Sequence, residues 1–240
     1  MASFTTDAFF DGKIKVMQHR GGYRFSIDAV LLAYHAAARP GDKVLDLGAG
    51  CGIIALIMAS RLTELRIYAV EVQRELAELA AANVRQNRLD DRIDVLGTDM
   101  KLLRPPMTSG PCDLVVSNPP YRRPGSGRIN PDTQRALARH EIKASLLDVL
   151  QTTRRMLRTA GRLVTIFTAE RTADILSQMR IERIEPKMIR MIHSRREAEA
   201  RLILVEGVKG GRPGLSVAPP LILYDDSGDY TAEVQRMFEL

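Results

Sequence analysis

Cysteine is scarce in this 240-residue chain: Cys51 and Cys112 occur without Cys-x-x-Cys spacing, so neither a redox pair nor a disulfide is expected, and both read as small buried thiols. The four histidines, His19, His35, His140 and His193, lack the spacing of metal ligands, and no metal is expected. Long apolar runs are also missing. The longest, near residues 29–38, is short and interrupted by His35, which excludes a membrane-spanning helix, and no charged-then-apolar leader opens the chain. Repeats, low-complexity tracts and linkers are absent as well. What remains is 45% hydrophobic, enough for a sizeable core. A soluble, cytoplasmic protein with a single domain over 1–240 is expected, residues 1–40 forming an N-terminal strand and helix ahead of a core at 41–240.

The charge is unevenly placed. Residues 121–158 carry Arg122, Arg123, Arg128, Arg135, Arg139, Lys143, Arg154, Arg155 and Arg158 against Asp132, Glu141 and Asp148, an excess equal to the whole chain's formal net charge of +6. A basic cluster of this kind suits a polyanionic substrate such as RNA.

Residues 13–20 read as a strand turning at Gly21-Gly22. Ser26 then stands at a helix cap, with Asp28 in the first turn, where a carboxylate suits the positive end of the helix dipole. Pro40-Gly41 ends that helix. Strands are expected at 43–47, 66–70, 93–96, 113–117 and 162–168, alternating with helices at 52–61, 73–87 and 145–157, which makes an α/β fold: a mostly parallel sheet with helices on both faces. After a helix at 170–179, the extended runs 187–192, 200–206 and 221–224 are expected as an antiparallel C-terminal edge, and glycine-rich 207–214 as an exposed loop.

Two motifs carry chemistry. Asp46-Leu47-Gly48-Ala49-Gly50-Cys51-Gly52 joins a strand to a helix, where glycines let a ligand approach the backbone. A dinucleotide fingerprint starting at Gly48 needs glycine at position 53, which is Ile53, so that ligand class is excluded. Glu71 follows the second strand of this series, placed for both hydroxyls of an adenosine ribose, and Asp99 follows the third, placed for the adenine amino group. The fourth strand ends in Asn118-Pro119-Pro120-Tyr121. The Asn118 amide oxygen and Pro119 carbonyl can accept from an NH2 group, the Tyr121 ring can stack on the plane bearing it, and the two prolines hold this geometry in advance. The chemistry expected is methyl transfer to an amino or amide nitrogen.

With these motifs, and with the segment 23–32 and residues 201–207, the chain resembles the class I S-adenosylmethionine-dependent methyltransferases with a Rossmann-like fold, and more narrowly the bacterial tRNA adenine N6-methyltransferases acting beside the valine anticodon. The resemblance implies S-adenosylmethionine as cofactor, held by Asp28, Asp46, Gly48, Gly50, Glu71, Asp99 and Asn118. It implies target-base binding and catalysis by Asn118, Pro119, Pro120 and Tyr121, and contacts from Arg122, Arg123 and Arg128 to the phosphates of a tRNA. Cys51 departs from the threonine common in relatives. Other readings stay open: N5-methylation of a protein glutamine, N2-methylation of a ribosomal RNA guanine, or a non-catalytic cofactor- or RNA-binding module. The oligomeric state is not encoded in any motif.

Overall fold

A computed structural model describes residues 4–19, 26–119 and 145–239. Its centre is a parallel series: β3 (Lys43–Leu47), β4 (Arg66–Val70), β5 (Ile93–Leu96), β6 (Cys112–Ser117) and β7 (Leu157–Thr168). Between and beside them run α1 (Ile27–His35), α2 (Ile53–Arg61), α3 (Arg74–Gln86), α4 (Leu146–Met156) and α5 (Thr172–Ile181). The far part of the chain adds β8 (Ile184–His193), β9 (Ala200–Lys209), β10 (Ser216–Val217), β11 (Leu221–Ile222) and the short α6 (Ala232–Arg236). The sheet order is β10-β8-β9-β7-β6-β3-β4-β5, with β11 also paired to β8. This is the expected α/β architecture.

Central strands apolar on both faces need helices on both faces. Val44, Leu45 and Leu47 are fully buried, as is the run Ile53 to Ala59 of α2, nearly so at its edges. Two cores result. One lies between the sheet and α1, α2 and α3, including Val44, Leu56 and Ile67, and the other lies under α4 and α5, including Leu45, Leu150 and Phe167. Helix α4 begins with a capping box: the Ser145 side chain takes the Asp148 amide while the Asp148 carboxylate takes the Ser145 amide.

The parallel register aligns the strand ends. Leu47 lies opposite Val70 and Ser117, Val70 opposite Leu96, and Ser117 opposite Thr165. Whatever follows each strand therefore emerges on one rim, where open α/β sheets bind ligands.

Four expectations need correction. The N-terminal extension holds a second strand, β1 (Phe4–Phe9), antiparallel to β2 (Ile14–His19), whereas the sequence suggested only one. Strand β7 begins at Leu157 rather than near Arg162, with an irregular register against β6 at its start. The C-terminal edge is antiparallel only through β9, which opposes β7 and β8, while β10 and β11 both pair parallel to β8. Gly207 lies within β9, not in a loop, where a Cβ would stand 2.3 Å from Met179 Cε. The exposed glycine loop starts only at Gly210.

Candidate active site

The turn after β3 is built from glycine. Gly48, Gly50 and Gly52 have φ of 78°, 58° and 86°, left-handed values that a side chain resists, and a Cβ on Gly48 or Gly50 would meet nothing within 4 Å. The backbone is thus bare and open towards the rim. Gly48 and Ala49 donate to the Val70 carbonyl at 2.9 and 3.0 Å, tying the turn to β4. Glu71, 5% exposed, accepts from the Gly50 amide at 3.0 Å and from the Gln73 amide at 2.9 Å. Its carboxylate is fixed before any ligand arrives, with lone pairs left over for hydroxyls.

Asp46 is the anomaly of the site. It is fully buried, and neither carboxylate oxygen has a hydrogen-bond partner among the described residues. Burial, with Glu71 nearby, pushes its pKa up to about 7; the Ala55 amide in the first turn of α2 opposes the shift without reaching hydrogen-bond geometry. Burial also drives the Cys51 thiol up to about 11, which keeps it protonated and unreactive.

The other rim residues come from neighbouring elements. Asp99, beyond β5, caps a single 3-10 turn: it accepts from the Lys101 amide at 2.9 Å and has the Lys101 ammonium 3.4 Å away. Asn118, half-buried, and Pro119, buried, follow β6 directly. The end of β6 is pinned on both sides: Ser117 Oγ donates to the Leu47 carbonyl at 2.8 Å, and Thr165 Oγ1 donates to the Ser117 carbonyl at 2.8 Å. Asn118 therefore emerges from a fixed strand beside Gly48. Asp28 is brought to the same end of the sheet by the way α1 lies along α2. Their C-terminal ends meet where Arg61 stacks over the Tyr34 ring at 4.5 Å, and Arg162, in β7 opposite Leu114 near the start of β6, donates to the Ala37 carbonyl at 2.7 Å, so both N-termini face the rim.

The structure thus gathers Asp28, Asp46, Gly48, Gly50, Glu71, Asp99, Asn118 and Pro119 at one end of the sheet. Pro120, Tyr121, Arg122, Arg123 and Arg128 lie outside the described residues. The three described arginines of the basic segment have internal partners. Arg154 pairs with Glu182 at 3.1 Å, Arg155 holds the Leu103 and Met100 carbonyls at 2.8 and 3.0 Å, and Arg158, near the start of β7, pairs with Asp113 at 2.5 Å. Counting charge along the chain could not separate these structural arginines from the rest. Sequence reading also missed Asn83, which holds the carbonyl of Cys51 at 3.0 Å; an asparagine inside a helix was the available signal.

Fold and site together define an S-adenosylmethionine-dependent methyltransferase. The family described as Methyltransferase small domain matches residues 23–180, and the chain belongs to it. Within that class it is similar to proteins named tRNA1(Val) (adenine(37)-N6)-methyltransferase. One, from Porphyromonas gingivalis, is 29% identical over 98% of this chain and 94% of the relative. Another, from Pasteurella multocida, is 30% identical over 88% of this chain and 86% of the relative. Among solved structures, a predicted O-methyltransferase from Agrobacterium tumefaciens superposes with a TM-score of 0.71 at 26% identity, covering 88% of this chain and 94% of that one.

S-adenosylmethionine fits the residues present. The open glycine turn admits close backbone approach, the preset Glu71 carboxylate suits vicinal hydroxyls, and the acidic pair Asp46 and Glu71 suits a cofactor carrying a sulfonium and an ammonium.

Proposed function

We propose that this enzyme methylates the exocyclic N6 of an adenine in tRNA, near the anticodon. The observation that carries the reading is the fixed placement of Asn118 and Pro119 at the end of β6, level with the glycine turn. An arylamine is a poor nucleophile because its lone pair is delocalised into the ring. Two acceptors on its hydrogens, the Asn118 amide oxygen and the Pro119 carbonyl, favour a pyramidal nitrogen whose lone pair is available, and both contacts strengthen as positive charge grows there. The cofactor, when bound, supplies an activated methyl group. The chain supplies placement: Gly48 and Gly50 receive the methionine end, Glu71 the ribose hydroxyls and Asp99 the adenine amino group, with Asp28 and Asp46 completing the acidic surround.

The target base has to leave its stack to enter the site, and stacking on Tyr121 returns roughly 1–3 kcal/mol of that cost. Arg122, Arg123 and Arg128 neutralise the phosphates flanking it. A tRNA substrate places the enzyme in the cytoplasm. The similarity to the named relatives over most of the chain supports tRNA as acceptor.

The test is to incubate the protein with methyl-labelled cofactor, tRNA and cell protein, and to digest the RNA to nucleosides for mass spectrometry. Label in N6-methyladenosine is expected. Label in protein instead would move the reading to glutamine N5, label in N2-methylguanosine to a guanine substrate, and absence of label to a binding module. In the same assay Asn118→Ala is expected to lower kcat by about 10²-fold, by analogy with loss of one transition-state hydrogen bond, a larger effect than titration calorimetry finds on cofactor affinity. Full turnover in that variant would remove Asn118 from the chemistry.

A further inference from the structure

Helix α3 carries two asparagines one turn apart, and both are spent on the same strand. Asn83 Oδ1 accepts from the Met17 amide at 2.8 Å and its Nδ2 donates to the Met17 carbonyl at 3.1 Å. Asn87 repeats the pattern on Lys15, at 2.9 and 2.7 Å. The geometry allows it because four helical residues rise about 6 Å and two strand residues about 6.8 Å, so successive carboxamides meet successive outward peptide groups. The pair acts as a substitute strand that closes the free edge of β2.

Asn87 spends its second amide hydrogen within the helix, on the Asn83 carbonyl at 2.8 Å, but Asn83 reaches further. Fully buried, it also donates from Nδ2 to the carbonyl of Cys51, at 3.0 Å, inside the glycine turn. The same helix walls that turn closely: a Cβ on Gly52 would lie 3.3 Å from Ala80 Cβ. One amide group therefore ties the N-terminal hairpin to the backbone that receives the cofactor.

We infer that Asn83 is a positioning residue for S-adenosylmethionine, coupling the docking of the β1–β2 hairpin to the shape of the 48–52 turn. The inference rests on reading that turn as the cofactor site. Because coupling is reciprocal, whatever binds the turn also steadies the hairpin at Met17.

Asn83→Asp and Asn87→Asp separate the two roles. Each keeps an acceptor for its strand amide and sets an oxygen against a strand carbonyl; the second clash falls on the Cys51 carbonyl in Asn83→Asp and on the Asn83 carbonyl, within α3, in Asn87→Asp. Asn83→Asp is expected to raise the KM and calorimetric Kd for S-adenosylmethionine at least about fivefold, with kcat at saturating cofactor within twofold of the parent. Asn87→Asp is expected to leave all three within twofold. An unchanged KM in Asn83→Asp overturns the inference, and so does an equal rise in both variants, which would assign the effect to hairpin docking alone. The unaltered protein gives a second measurement that survives a folding defect: saturating cofactor is expected to slow hydrogen exchange at the Met17 amide, and no change there overturns the coupling. Glu71→Ala tests the underlying reading separately. If it leaves cofactor affinity intact, the turn is not the cofactor site, whatever Asn83 does.

Discussion

At the scale of single residues, two titratable groups, the half-buried His35 and the buried Asp46, shift stability with pH in opposite directions. His35 Nδ1 lies 2.8 Å from the Leu31 carbonyl and Nε2 lies 2.9 Å from Arg190 Nη1, so the ring donates through one nitrogen and accepts through the other, which only neutral imidazole can do. Burial lowers its pKa and the Arg190 charge adds to this, against the Leu31 carbonyl and Glu233, which raise it. A folded pKa below the unfolded value contributes stability that is complete above about pH 6.5 and is lost as pH falls through the folded value. Urea midpoints should accordingly drop between pH 7.5 and 5.5, and His35→Gln should flatten that fall. Asp46 has the opposite sign. Its raised pKa costs stability as pH climbs from the ordinary carboxylate range to about 7, by on the order of 4 kcal/mol when complete. Asp46→Asn is therefore expected to raise the apoprotein's melting temperature at pH 8, by less at pH 5, and to bind the cofactor less well. A variant no more stable than the parent at pH 8 would mean that water or the protein already relieves that charge.

At the scale of elements, Gly207 shows how packing overrides composition. Its missing side chain lets β9 pass within contact of Met179 and Ile184; a Cβ would also come within 2.9 Å of Ile184 Cγ2. Gly207→Ala is expected to destabilise the fold by about 1–3 kcal/mol, measured as a shift in urea midpoint at constant slope. In sequence, the run of glycines from 207 onward reads as one loop, because nothing local distinguishes a close-approach glycine from a turn glycine. Apart from the early start of β7, the central strands were legible to within a residue or two, since continuous Val, Ile and Leu runs are what a sheet covered on both faces requires. Strand β1 was not: Phe-Thr-Thr-Asp-Ala-Phe forms a strand only because β2 pairs with it across a turn in which Phe10, Asp11 and Gly12 all have positive φ. Of the site, the glycine turn and strand-end acids were visible as motifs at strand ends. The Asn83 contacts and the Ser117 pin join residues 32 to 70 positions apart, and neither those partners nor the isolation of Asp46 can be read locally.

At the scale of the whole molecule, the formal net charge of +6 is not spread evenly, and three of its arginines are already committed to internal partners. The proposed phosphate contacts are Arg122, Arg123 and Arg128. Observed affinity for tRNA should fall linearly in a plot of log K against log salt concentration. Replacing Arg122, Arg123 and Arg128 with alanine should reduce the slope by about 2, at roughly 0.7 per phosphate contact on single-stranded RNA. A slope unchanged in that triple variant would place the phosphate contacts elsewhere.

The sheet order also constrains how the chain comes together during synthesis. Strand β8 leaves the ribosome before β9, β10 and β11, yet among the described residues those three are its only partners in the sheet, and it reaches β7 through β9. A nascent chain that has emerged only as far as Ile192 therefore holds a finished cofactor platform next to a bare β7 edge and an unattached apolar strand, an invitation to mispairing that ends when residues 200–209 arrive and slot between the two.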